Sequence, residues 1–515
     1  MNMGNGHAEA SGVNYYDNGK SPVQTQTAKT EDSFYDRDER EMATLGKKQV
    51  LKRNFGFMSM LGFSCTLMIT WEGIFSVFVD GLEDGGPGGL IYGAPTSGGQ
   101  YHWTFLFSPP KYRKFFSFIT GWQSVLAWQA CLASAAYLAG TMIQGLMVLN
   151  HPDYDFKRWH GTLLLYAVML LALFFNTYLA DHLPKVEGAV LTLHILGFFG
   201  ILIPMTYLAP HGNAHDVFAT FLNLGGYHSM GLSFFVGIIT TVFAFLGADG
   251  AVHMCEEIKN ASTVVPQSLM ASIALNGVLG FSMLIAILFC VGDIQNALSS
   301  PTGYPFIEIF QQATESTGGA TAMASIVLSL MIFATIAVLA AASRIMWAFA
   351  RDNGLPGSRW LRRVEPRTKL PLYAIACTTL ITLLLALINI GSSAAFNAVA
   401  SLLVAGFLGS YLLPISLLLG KRLRGDAIPY GPWKMGRLVG PLTNAFALLW
   451  CLIAMVFSFF PTTVPVTLQT MNWSCLLWGA AMIFGVVYYI FRGRFQYHGP
   501  ILETSLMEQM QGIET

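Results

Sequence analysis

The stretch Phe243-Ala244-Phe245-Leu246-Gly247-Ala248-Asp249-Gly250-Ala251-Val252-His253-Met254-Cys255-Glu256-Glu257-Ile258-Lys259-Asn260 decides how this chain folds. An apolar run from Gly231 leads into it, meets the small-residue break Gly247-Ala248-Asp249-Gly250, and leaves through a charged exit. Backbone freed from helical hydrogen bonds inside a bilayer survives only where protein or a water-filled cavity satisfies it. The break therefore predicts a discontinuous helix beside a binding cavity.

Around that stretch the chain is apolar, with 53% of its 515 residues hydrophobic, 11% charged and a mean hydropathy of +0.51. A soluble domain carries about 25% charged residues, so this composition specifies an all-α integral membrane protein. Apolar windows fall at 55–79, 115–139, 161–180, 187–209, 231–252, 268–292, 320–342, 371–391, 396–419, 439–460 and 473–491, about eleven spans of roughly 20 residues each. The polar residues 1–54 read as a disordered cytoplasmic tail, 55–491 as the transmembrane body and 492–515 as a C-terminal cytoplasmic tail.

Loops rich in Lys and Arg stay on the cytoplasmic side. One topology puts every one of the 29 basic residues there except Lys157 and Arg158. A single interval resists it. Asp80, Glu83 and Asp84 belong outside and Lys111 inside, yet the segment joining them carries seven glycines, four prolines and no apolar run of spanning length. The charge pattern asks for one more span near Gly93-Ala94.

Catalytic chemistry has little support. The seven cysteines stand singly, without metal-ligand or disulfide spacing. His211 and His215 with Asp216, and His151 with Asp153, are the only groupings that suggest an enzyme; the first has i, i+4 histidines but no glutamate of the H-E-x-x-H pattern. No cofactor is expected. The basic run from Arg344 to Lys369 reads as a cytoplasmic loop that meets lipid headgroups, not nucleic acid.

Four motifs in order carry a resemblance: Gly85-Gly86-Pro87-Gly88-Gly89-Leu90-Ile91-Tyr92-Gly93; Ala94-Pro95-Thr96-Ser97-Gly98-Gly99-Gln100-Tyr101-His102-Trp103; Gly247-Ala248-Asp249 with Glu256-Glu257-Ile258-Lys259-Asn260-Ala261-Ser262; and Trp347-Ala348-Phe349-Ala350-Arg351-Asp352-Asn353-Gly354-Leu355-Pro356. Together the four motifs resemble the fungal amino acid/choline permeases of the amino acid-polyamine-organocation superfamily, over about residues 45–495. The resemblance implies a five-plus-five inverted repeat followed by two extra helices, with the first helix of each half unwound at mid-membrane. It also implies a second helix between the first two motifs, which are fused here, so both the family pattern and the charge pattern mark the same missing piece.

On this reading Thr70, Trp71, Glu72 and Gly73 of the first span, and Phe243, Phe245, Gly247, Ala248 and Asp249 of the sixth, line a substrate site. Half-helix N-termini suit a carboxylate, and free carbonyls or an acid suit an amine. Glu72 is an acid placed deep in a span, a costly position that usually faces a cavity or a partner. Asp249 either caps the broken helix or opposes a substrate cation. Trp71 and Phe245 could stack on a quaternary ammonium. His194, like Glu72, is a candidate for the coupling proton, because imidazole changes charge near neutral pH.

Trp122, Gln123, Trp128 and Gln129 either line the cavity or bind neighbouring helices. Glu256, Glu257 and Lys259 read either as a cytoplasmic ion-pair latch or as a solvated charge cluster, and Arg351-Asp352 as a candidate inner-gate pair. The expected function is a permease moving an amino acid, GABA-like amine or choline by alternating access, proton-coupled or facilitative, in the plasma membrane or else a vacuolar or other endomembrane. Transport for a biosynthetic pathway, or a non-transporting product, are the alternatives.

Overall fold

The computed structural model describes residues 49–72, 99–428, 436–468 and 470–500. Its helices in chain order are α1 (Phe57–Met68), α2 (Gly99–Phe107), α3 (Arg113–Asn150), α4 (Arg158–Thr177), α5 (Leu183–Leu208), α6 (Met230–Phe243), α7 (Gly250–His253), α8 (Ala261–Phe289), α9 (Pro305–Thr314), α10 (Thr317–Arg351), α11 (Leu372–Gly391), α12 (Ser393–Arg424), α13 (Val439–Phe457) and α14 (Ser474–Tyr488). Among the described residues there is no strand, only an isolated bridge between Phe55 and Ile258.

Nine helices among the described residues are long and apolar enough to cross a membrane. Two spans read from the sequence fall short as continuous helices. The first is interrupted at Ile69, whose φ of 44° is left-handed, and helix resumes at Thr70. The sixth stops at Phe243 and resumes at Gly250. The junction at Gly93-Ala94 lies outside the described residues.

Polarity is inverted relative to a soluble protein. Leu170, Phe174, Leu196, Ile203, Leu380, Leu384, Leu442, Phe446 and Ile483 are exposed, far more apolar surface than water tolerates in one patch and the surface lipid requires. Inside, α3 and α10 form the central pair, with Ala127, Ala133, Ala136, Ala337, Ala340 and Ala341 buried. Small residues let helix backbones approach where hydrocarbon supplies no hydrophobic drive between them.

The closest approach falls between α1 and α5. A Cβ on Gly62 would collide with the Glu187 carbonyl oxygen. Gly62→Val is therefore expected to cost at least about 1–3 kcal/mol through overpacking, measured as a lower Tm of the detergent-solubilised protein. An unchanged Tm would show that the helices are not in contact there.

Several boundaries differ from the sequence reading for one reason. A window of about 20 residues senses hydrocarbon depth, whereas α3 and α10 run on for 38 and 35 residues into the aqueous faces. The segment from Arg344 to Arg351, read from the sequence as loop, is the last part of α10.

Candidate functional site

The two breaks touch. Gly247 has a φ of +90°, which a side chain rarely adopts, and a Cβ there would sit 3.1 Å from the Leu67 carbonyl oxygen. A Cβ on Gly250 would collide with the Leu67 side chain and press on Trp128 of α3. The small residues of the sixth span thus admit the end of α1. Trp128 closes one wall, edge-on to Phe407 of α12 at 5.2 Å between ring centroids.

Asp249 sits at this junction and is 4% exposed. It occupies the N-cap position of α7, but its side chain makes no capping bond. Its Oδ2 instead accepts hydrogen bonds from Gln100 Nε2 of α2 at 2.5 Å and from Trp128 Nε1 at 3.4 Å, and lies 3.1 Å from His253 Nε2. Its Oδ1, and the Thr70 hydroxyl beside the other break, are buried with no hydrogen-bond partner among the described residues. Such orphans cost about 1–3 kcal/mol each, a cost that a bound polar ligand removes.

Glu72 and His194 form one unit. Glu72 Oε1 is 2.6 Å from His194 Nδ1, and both side chains are almost fully buried. Trp71 packs against the His194 ring at 5.5 Å and against Phe198 at 6.1 Å, so it faces α5. Phe243 and Phe245 are half-buried at the end of α6 and in the break, and Ala248 is buried. Gly73 lies outside the described residues.

At the charged exit of the sixth span, Glu257 holds Arg344 through two contacts of 2.7 and 3.4 Å, and Glu256 holds Arg351 through two of 2.7 and 3.1 Å. Paired N–H donors fix a carboxylate in geometry as well as in energy. Arg351 and Asp352 face different partners: the arginine also lies over the Trp347 ring, and Asp352 accepts from the Tyr101 hydroxyl at 2.8 Å. Lys259 joins through its backbone N–H, which donates to the Phe55 carbonyl. The residues just before α1 complete the closure, since Gln49 donates to the Glu256 carbonyl and Arg53 to the Ile258 carbonyl. Lys52 bonds Asp181 at 2.8 Å and holds that carboxyl below the usual carboxylate range.

The third-span candidates divide. Trp128 reaches the junction, whereas Trp122 donates to the Ala481 carbonyl and Gln129 to Thr378. Trp122 and Gln129 instead border a cavity of about 760 Å³ among α3, α11, α12 and α14, to which neither broken helix contributes. Gln100, Tyr101, Arg344 and Glu187 were not read as site residues. Gln100 and Tyr101 stand in one of the four family motifs, and the i, i+4 spacing of Asp249 and His253 is a second local signal. Among the described residues no grouping of His, Cys, Asp and Glu could hold a metal ion.

A chain with two broken spans meeting at buried polar groups has the build of a transporter, and a family model described as amino acid permease matches residues 86–481. The chain belongs to the amino acid permease family. The permease is 32% identical to the choline transporter of Saccharomyces cerevisiae over 486 residues, covering 90% of this chain and 85% of that protein. It is 28% identical to the GABA-specific permease of the same yeast, over 94% and 90%, and 26% identical to amino-acid permease 2 of Neurospora crassa, over 90% and 89%. The permease is thus a multi-pass membrane transporter and not an enzyme.

Proposed function

We propose that this permease carries a small nitrogenous solute, an amino acid, GABA-like amine or choline, into the cell across the plasma membrane in exchange for the free energy of a proton gradient. The observation that carries this reading is the junction of the breaks, where Asp249 Oδ1, beside Trp128, and Thr70 Oγ1 of the first break are buried with no hydrogen-bond partner among the described residues. An acid opposes the amine, unwound backbone opposes a carboxylate where the substrate has one, and the Trp128–Phe407 pair offers faces to a cation. Trp128 and Phe407 replace Trp71 in that role, because Trp71 is committed to α5.

Glu72 and His194 hold the coupling proton in this reading. The latch formed by Glu256, Glu257, Arg344 and Arg351 closes the cytoplasmic side and opens when the first and sixth helices rock against α3 and α10. The test is uptake of radiolabelled choline, GABA and a panel of amino acids in yeast lacking its own choline and GABA transporters. Saturable uptake of one of them, competed by its close analogues, is expected. No uptake of any, with the protein at the cell surface, would remove this substrate class.

A second reading, a non-transporting product, is favoured by the missing crossing between Asp84 and Lys111. The mature transcript is expected to carry about 20 to 30 further apolar codons at the Gly93-Ala94 junction, enough for one span. Sequencing that transcript separates the two readings, since absence of the stretch would support the non-transporting product.

A further inference from the structure

The buried face of α5 carries a second ionisable group for which the proposed coupling pair has no use. Glu187 is 1% exposed, and its Oε2 has no hydrogen-bond partner among the described residues. It lies where α1 and α5 approach most closely, against Gly62, with only the Thr66 hydroxyl of α1 turned toward it. No ion pair joins it to a charged group from α1, α8 or α10 among the described residues. Glu256, Glu257 and Asp352 are also buried acids, but each has a cationic or phenolic partner. Among the described residues no cation balances this acid. A leucine would fill the space without the several kcal/mol that an uncompensated buried carboxylate costs, and taking up a proton removes that cost.

Its position explains its presence. Glu187 and His194 lie seven residues apart on the same buried face of α5, two turns or about 10.5 Å along the axis. Asp181, next to the start of α5, bonds Lys52 at an exposed surface, which the positive-inside pattern makes cytoplasmic; on that topology Glu187 is on the cytoplasmic side of the Glu72–His194 pair. His194 Nε2, the ring atom turned away from Glu72, is also buried without a partner among the described residues.

We propose that Glu187 is a proton-relay residue, receiving the coupling proton from the Glu72–His194 pair and passing it to the cytoplasm. The proton leaves the pair through water admitted when the cytoplasmic side opens, binds the Glu187 carboxylate, and then passes to bulk solvent; no other bond changes. The relay rests on the proton-coupled reading given above.

The test compares two modes in proteoliposomes holding the full chain. Net uptake driven by an inward proton gradient requires proton release inside, whereas exchange of external label for preloaded substrate does not. Glu187→Gln is expected to lower net uptake at least tenfold and leave exchange within twofold of wild type, while Glu187→Asp retains both. Normal net uptake by Glu187→Gln overturns the relay. Loss of both modes in Glu187→Gln and Glu187→Asp alike also overturns it, because the residue is then structural. Gradient-independent uptake by the wild type, seen before any variant is made, instead removes proton coupling itself.

Discussion

Glu72→Gln is expected to abolish uptake, with the protein still in the membrane, because an amide in place of this buried carboxyl holds no coupling proton. The Gln side chain keeps the shape and an acceptor for His194, whose ring nitrogen lies 2.6 Å from Glu72, but it cannot carry a proton. His194→Ala is expected to flatten the pH dependence of whatever uptake remains. Since the two act as one unit, the double variant should be no worse than the more damaging single one. Wild-type uptake by Glu72→Gln, or an unchanged pH profile in His194→Ala, would take the pair out of the transport cycle.

The second large effect is expected at the cytoplasmic latch. Arg344→Met strands Glu257, whose side chain is 8% exposed, and is expected to cost about 3 to 5 kcal/mol of stability. Removing the partner as well, in Arg344→Met/Glu257→Leu, leaves no buried charge and should recover most of that loss. The recovered protein is folded but lacks half of its latch. Cys255 is a buried thiol beside the latch, so its maleimide labelling from the cytoplasmic side should quicken several-fold in the double variant. A folded double variant with Cys255 as protected as in wild type would mean that these pairs do not close the gate.

The sequence reading found what depends on local composition. Spans were legible because each is about 20 apolar residues, and the break at Gly247 to Gly250 because small residues and an acid interrupt an apolar run. Contacts between distant segments left no such trace. Glu72 and His194 are 122 positions apart, and neither neighbourhood announces the other. Charge alone places Arg344 in a loop outside the bilayer; it stays inside the helix because Glu257 neutralises it at 2.7 Å. Glu187 was passed over as the start of a span, since its burial depends on Gly62, which is 125 residues earlier and carries no side chain.

Asp249 shows a different limit. From sequence, an acid at a helix break is equally a cap or a counter-charge, and only three-dimensional placement separates the two. Its Oδ2 is engaged by α2 and α3, and Oδ1 is left over. The placement of Trp71 against His194 and Phe198 was likewise illegible in sequence, because an aromatic in a span has no marked face until its neighbours are known.

The most direct test of the account is substrate-driven proton movement in proteoliposomes loaded with a pH-sensitive dye. Adding the transported amine outside, with no other gradient, is expected to acidify the lumen in the wild type and not in Glu72→Gln. Substrate accumulation without acidification, or acidification that persists in Glu72→Gln, would contradict a permease whose coupling proton resides on the Glu72–His194 pair.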